Sequence, residues 1–162
     1  MITYVPYFKV TPAEVMQVVC NLGDVARRDI KTYHEGSPFG FVLDTIRDSD
    51  ILFGYLVKVH GEPQALFHFK GLETETTAHL MVSETVSDRH RLELHRRSIS
   101  IFKEVLRRRP YVVTYVSKDA PKALLWLRKG LSKHFNVEES PEEFLTEIGK
   151  PVMRFTIKPK EV

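Results

Sequence analysis

Between Thr76 and Arg109 the chain reads TTAHLMVSETVSDRHRLELHRRSISIFKEVLRRR, and its apolar positions change period part-way along. Ala78, Leu80, Val82 and Val86 alternate with His79, Met81 and Ser83, the period of two that a strand requires, with Glu84 the one charge on the apolar side. Past Ser87-Asp88 the apolar residues Leu92, Ile99, Phe102 and Leu106 recur at helical spacing, so the strand is expected to stop there and feed a long helix. Ser87 or Asp88 can cap that helix. A strand running into a capped helix start points free N–H groups and a helix dipole at one turn, which suits a phosphate-sized anion, and Arg89 and Arg91 add full charges there.

Upstream, Ile2 to Val5 read as a short strand ended by Pro6. Thr11-Pro12-Ala13-Glu14 is a helix start, with Thr as cap, Pro in the first position and Glu in the first turn. Val15, Val18, Val19 and Leu22 give that helix an apolar face beside which Cys20 is expected as a passive buried thiol, and Gly23 ends it. Asp24 is the expected cap of a second helix through Val25, Ile30 and Tyr33 to Gly36. Gly36 to Gly40 read as a loop and Phe41 to Ile46 as a short helix or strand. Two strands follow, Ile51 to His60 and Gln64 to Leu72, turning at Gly61-Glu62-Pro63; Glu73 to Thr77 turn the chain into the next strand, completing an antiparallel meander. Beyond the long helix, Tyr111 to Ser117 form a strand parallel to the one before the helix. Asp119-Ala120-Pro121 opens a helix to Gly130, with Asp119 as its cap. Phe135 to Glu138 and Pro151 to Lys158 close the chain around a polar insert, Ser140 to Ile148, with a helix-start signature of its own.

The 162 residues, expected to form one domain over 1–162, are enough for a core without metal or disulfide support. A formal charge of +3 is too mild to argue for nucleic acid, but Arg89, Arg91, Arg96, Arg97, Lys103, Arg107, Arg108 and Arg109 all lie on the one helix. One cysteine allows no internal disulfide and fits a reducing compartment. The N-terminus has no export-signal pattern and no apolar run spans a bilayer, so the expected location is the cytoplasm, with no membrane partner. His68 and His79 are expected to face one another across the meander, without a third ligand that would argue for metal. His95 is expected as a satisfied, partly buried imidazole.

The order of elements, β, α, α, β, β, β, α, β, α, β, β, resembles the GNAT superfamily of N-acetyltransferases over nearly the whole chain. The resemblance implies an α/β (α+β) fold, a mixed central sheet of about six to seven strands with helices on both faces. The local match is DAPKALLWLRKGL, residues 119 to 131, which is similar to the family's Asn, Leu-Tyr-x-Lys and Gly-Phe segment. It places Asp119 at the family's Asn, Leu125 at its Leu, Trp126 at its Tyr, Arg128 at its Lys and Leu131 at its Phe. The family's Arg-x-x-Gly-x-Gly or Ala turn, whose amides hold the acetyl-CoA pyrophosphate, falls on Arg89-His90-Arg91-Leu92-Glu93-Leu94, which keeps the arginine and replaces both small residues by leucine.

From the resemblance, acetyl-CoA is the expected cofactor, held by Val82, Arg89, His90, Arg91, Leu92, Asp119 and Trp126, with an amine as acceptor. Glu84 stands where some family members keep a base. Because an indole cannot donate a proton at useful pH, Tyr115 and Ser117 are the candidate acids in place of Trp126. Two further functions compete with acyl transfer. The degenerate turn is similar to that of GNAT-like virion proteins of tailed phages, which implies a non-catalytic assembly role, protein partners in a particle, a homo-oligomer, and a location in host cytoplasm or virion. The arginine-rich helix could instead clamp a nucleic-acid backbone.

Overall fold

A computed structural model describes residues 1–71 and 75–161 of the chain, with the side chain of Val25 left aside. Leu72, Glu73, Thr74 and the Val25 side chain, assigned above to a strand end, a turn and a helix face, lie outside the described residues.

Seven strands form one mixed sheet: β1 (Ile2–Pro6), β2 (Ile51–Val59), β3 (Glu62–Lys70), β4 (Thr77–Val82), β5 (Val112–Ser117), β6 (Phe135–Leu145) and β7 (Pro151–Pro159). Their spatial order is β1-β2-β3-β4-β5-β7-β6. Among the described residues five α-helices join them, α1 (Pro12–Asn21), α2 (Gly23–Tyr33), α3 (Pro38–Ile46), α4 (Asp88–Leu106) and α5 (Pro121–Leu125), the last running on as a π turn over Trp126–Gly130. All neighbouring strands are antiparallel except β4 and β5, which are parallel because α4 carries the chain back across the sheet between them.

Period-two alternation gives the sheet two faces, each covered. Leu56, Leu66 and Met81 meet α1, α2 and α3 through Val15, Val18, Ala26, Ile30 and Val42. Phe67, Phe69, Val112 and Phe155 meet α4 and α5 through Ile99, Phe102, Val105 and Leu124. Phe102 is the hub of this second layer, with ring contacts to Phe67, Phe69, Trp126 and Phe135. On the first face, Gly54 lies under the Tyr7 ring so closely that an added Cβ would stand 2.3 Å from it.

The structure corrects several boundaries. The β2–β3 turn is His60-Gly61, with φ of 52° and 81°, so Glu62 and Pro63 belong to β3. Positive φ at both central residues matches the twist of a tight hairpin. Gly36 to Gly40 is not all loop: Ser37 accepts from the Gly40 amide and Pro38 takes the first helical position, so cap and proline outweigh Gly40 and α3 starts there. α2 starts at Gly23 without an Asp24 cap and ends at Tyr33, and α5 is capped at Ala120 rather than Asp119, without a side-chain bond. β4 ends at Val82, where hydroxyl bonds take over the backbone. The insert from Ser140 is strand: β6 runs on to Leu145, with a bulge between Glu139 and Glu143 that absorbs Pro141. Cys20 is exposed, since one step past Val19 turns it roughly 100° away from the buried face of α1.

Candidate active site

The place where β4 and β5 part is the distinctive feature of the sheet. The two strands share one register pair, Thr77 with Val113, whereas β4 keeps six pairs with β3 and β5 six with β7. The Val113 N–H donates to Thr76 O at 2.9 Å and the Thr114 hydroxyl to Ala78 O at 3.0 Å, and beyond these the strands diverge. Alternation along β5 puts Tyr115 O on the same edge as the Val113 N–H, towards β4. That carbonyl accepts the Tyr33 hydroxyl of α2 at 2.8 Å instead of a β4 amide.

On the α2 side of this split the polar side chains converge. His79 of β4 lies with Nε2 3.8 Å from Asp29 Oδ2 of α2, and the two side chains are 25% and 26% exposed. Tyr33 sets its ring edge-on to His79 with centroids 6.0 Å apart. His68, the register partner of His79 on β3, stacks on it at 5.4 Å, and its Nδ1 is 2.9 Å from the buried Tyr7 hydroxyl. Burial holds His68 far below the usual imidazole range, at about 3. Burial also lowers His79 and raises the Asp29 carboxyl, while the opposite charge of each partner works against both shifts. Tyr115 rests on Phe144 of β6, and Arg154 of β7 lies over the same ring. The β6–β7 turn leans back over this corner, with the Thr146 hydroxyl donating to Thr32 O at the end of α2 at 2.8 Å.

The turn from Ser83 to Ser87 is tied into the protein by its own side chains. Ser83 Oγ bonds Asn21 O and Thr85 Oγ1, and Thr85 Oγ1 donates to Gln64 Oε1 at 3.0 Å. Arg91 donates through Nε to Val86 O at 3.2 Å and through a terminal nitrogen to Ser83 O at 2.9 Å, so its guanidinium bolts the turn rather than facing a ligand. Ser87 accepts the His90 amide and bonds the His90 ring, and Asp88 places a carboxylate in the first turn of α4. Arg89 is the cation that reaches solvent here: its side chain is 88% exposed, with Glu93 at 3.9 Å.

The two leucines in place of small residues behave differently. Leu94 is buried against Val57, Ala65 and Val86, with Val82 packed beside them, whereas Leu92 is 48% exposed.

The remaining residues singled out from sequence lie as follows. Glu84 is exposed two residues past β4, with its carboxylate against Gly23, at the positive end of α2. Trp126 turns to α4, where its Nε1–H donates to His95 Nδ1 at 2.8 Å, and Gly130 gives it room. Ser117 accepts the Asp119 amide and so shapes the β5–α5 turn. Arg128 pairs with Glu139. Val82 ends β4 on one side of the split and Tyr115 and Ser117 lie on β5 on the other, and the first two turns of α4 hold Arg89, His90, Arg91 and Leu92. Asp29 and Tyr33 were missed as site residues. Their signal was their spacing, since Asp29 lies one helical turn before Tyr33 and so shares the inward face of α2. Among the described residues no group of three or more His, Cys, Asp or Glu side chains could hold a metal ion. No described helix is long and apolar enough to cross a membrane.

No protein-family model matches the chain, and no curated protein does. Solved structures do. An N-acetyltransferase from Campylobacter jejuni, in complex with acetyl coenzyme A, is similar at a TM-score of 0.59 and 13% identity, over 99% of this chain and 100% of that one. A spermidine N-acetyltransferase from Vibrio cholerae, in complex with CoA and spermine, is similar at 0.64 and 10% identity, over 98% and 95%. The ribosomal-protein-S18-alanine N-acetyltransferase from Escherichia coli is similar at 0.58 and 15% identity, over 100% and 96%. The chain therefore has the fold of the GNAT acetyltransferases, a mixed seven-stranded sheet with five helices.

Proposed function

We propose that this protein transfers an acyl group from an acyl-CoA to an amine, with the thioester lying in the split between β4 and β5. The observation that carries the reading is the Tyr115 carbonyl, which faces β4 yet is bonded by the Tyr33 hydroxyl, so that the two central strands stand apart where a sheet would otherwise close. The similar structures in complex with acetyl coenzyme A or CoA support an acyl-CoA as the donor.

In this reading Val82 and Ser83 form the edge along which the arm of the substrate runs, and Arg89 with His90 and the first amides of α4 meets the diphosphate. Asp119 and Trp126 border the far side, where Trp126 shapes the wall rather than donating a proton, its N–H being taken by His95. Tyr115 is the proposed acid for the leaving thiolate, and Ser117 positions the turn beside it. Glu84 holds the start of α2 against the β4–α4 turn.

Acetyl-CoA is expected to raise the melting temperature, because a ligand at a hundred times its dissociation constant adds about 2.7 kcal/mol. For a chain of this size that is a shift of roughly 5–10 °C. Arg89→Glu should abolish most of the shift. No shift at millimolar acetyl-CoA would overturn the reading. Spermidine, L-2,4-diaminobutyrate and a peptide with N-terminal alanine are the first acceptors to test, by thiol release, because similar structures are acetyltransferases of or with such amines.

A non-catalytic assembly role, of the kind the degenerate turn suggests for phage particles, draws on the internal engagement of Arg91 and Trp126. It predicts a stable larger assembly and no effect of acetyl-CoA on melting.

A further inference from the structure

We propose that the groove between α4 and β2, on the flank of the sheet away from the split, binds a small aryl carboxylic acid, with the carboxylate on Arg97 and the ring against Phe53, Tyr55 and Ile101. This second site is separate from the acyl-transfer reading and does not rest on it.

The groove follows from how α4 docks. Its buried residues Ile99, Phe102 and Val105 pack with Phe67 and Phe69 of β3 and with Val112 and Phe155 beyond. The helix therefore lies over the middle of the sheet, and β2 and β1, which end the sheet on one side, extend past it. Arg97, Ser100, Ile101 and Glu104 recur at spacings of three, four and seven and form the stripe of α4 that looks out along this flank. Phe53 and Tyr55 alternate onto the same face of β2 and stay half-buried. Together these six residues line a cavity of about 310 Å³. That is at the small end of ligand sites, with room for one ring and its substituents and not for a stretch of chain.

Charge decides the occupant. The Arg97 guanidinium lies over the Tyr4 ring at 5.4 Å, and Tyr4 stands edge-on to Tyr55 at 6.1 Å, so aromatic contact holds the cation beside the groove. Among the described residues no carboxylate lies within ion-pair range of Arg97, and Glu93, one turn before it, is 3.9 Å from Arg89. Glu104 lies seven residues on, about 10 Å along the helix axis. Its carboxylate is already met by Arg107 at 3.0 Å and Arg108 at 3.8 Å. The groove thus has an uncompensated guanidinium at one end and, at the other, a neutralised carboxylate that can still accept a hydrogen bond. A carboxylate is drawn to Arg97, which can hold it through two N–H groups, while a flat ring fills the space against Phe53 and Tyr55. A hydroxyl on the far side of the ring points towards Glu104. An ammonium in place of the acid meets Arg97 with like charge and is repelled.

The test is a titration of the full chain with 4-hydroxyphenylacetate, followed by calorimetry and by NMR of the backbone amides. Saturable one-to-one binding is expected, with a dissociation constant of about 0.1–1 mM for a molecule of this size. The amide changes should centre on Phe53 to Tyr55 and on Arg97 to Glu104. Arg97→Gln should weaken binding roughly tenfold or more, as loss of a charged hydrogen-bonded pair implies. Because Arg97 is exposed, the variant should melt near the wild type and keep the wild-type response to acetyl-CoA. The amine analogue 4-hydroxyphenylethylamine should not bind. No saturation at ten times the expected dissociation constant overturns the proposal. So do equal affinities for acid and amine, binding unchanged in Arg97→Gln, and amide changes centred elsewhere. A chain that binds the aryl acid but no acetyl-CoA overturns the acyl-transfer reading and supports this site, so the two fail separately.

Discussion

Single residues in this protein carry effects that can be separated by where each side chain points. His68 is buried with its imidazole held at about 3, so the folded chain takes up a proton there far less readily than the unfolded one. A depressed folded-state value means that the stability contributed by neutral His68 is present above the unfolded value and is lost as pH falls towards the folded one. The unfolding free energy should lose about 1.4 kcal/mol per pH unit from this group between roughly pH 6 and pH 3. Urea melts of wild type and His68→Gln across that window should show the extra slope in the wild type; parallel curves would contradict it. The leucines of the α4 first turn offer a second contrast. Leu92→Gly should tighten acetyl-CoA binding by letting the backbone approach the diphosphate, at a stability cost of about 1 kcal/mol in the helix. Leu94→Ala should cost 2–5 kcal/mol without that gain, because Leu94 fills the core. Titration calorimetry and thermal melts of both variants distinguish the two effects. The opposition of His68 and His79 was legible in the sequence, because a hairpin fixes which residues meet across it. The approach of Asp29 was not, because it depends on where α2 docks.

At the scale of elements, local signals carried the chain as far as local physics reaches. Thr11 and Glu14 form the reciprocal cap that their spacing announces, and Thr11→Ala should cost about 1 kcal/mol in an equilibrium melt. α4 was legible from Leu92 to Leu106 through its apolar recurrence. The end of β4 was not, since Val86 continued the apolar alternation while Ser83, Thr85 and Arg91 took the backbone out of the sheet by hydrogen bonds that only the folded turn brings together. Residues 140 to 148 misled for a similar reason: a Ser-Pro-Glu-Glu start reads as a helix cap, but no apolar face follows it, and pairing with β7 draws the segment into a strand. The role of Arg91 follows from the same turn. Arg91→Ala should lower stability by removing two guanidinium bonds to carbonyls, and Arg89→Ala should leave stability near wild type while weakening acetyl-CoA binding. Equal losses of both properties in the two variants would contradict this division.

Across the whole molecule, the sheet carries apolar packing on both faces, and the corner proposed for function lies where β4 and β5 part. Phe102 anchors the α4 side through four aromatic neighbours, while Tyr7, Ile30 and Val42 close the α1–α3 side. Between them β4 and β5 pair at Thr77 and Val113 and then part, and on the α2 side Asp29 approaches His79 while the Tyr33 hydroxyl donates to Tyr115 O. Nothing in the alternation of either strand records that parting, because a strand in a split sheet and one in a closed sheet bury the same faces. It is a property of the assembled topology, which the register shows. The most direct test is to follow backbone amides by NMR as acetyl-CoA is added to the full chain. The account predicts that the changes concentrate at His79 to Val82, at Val113 to Ser117 and at the first turn of α4. Changes confined to the outer arginines of α4, or none at millimolar acetyl-CoA, would contradict it.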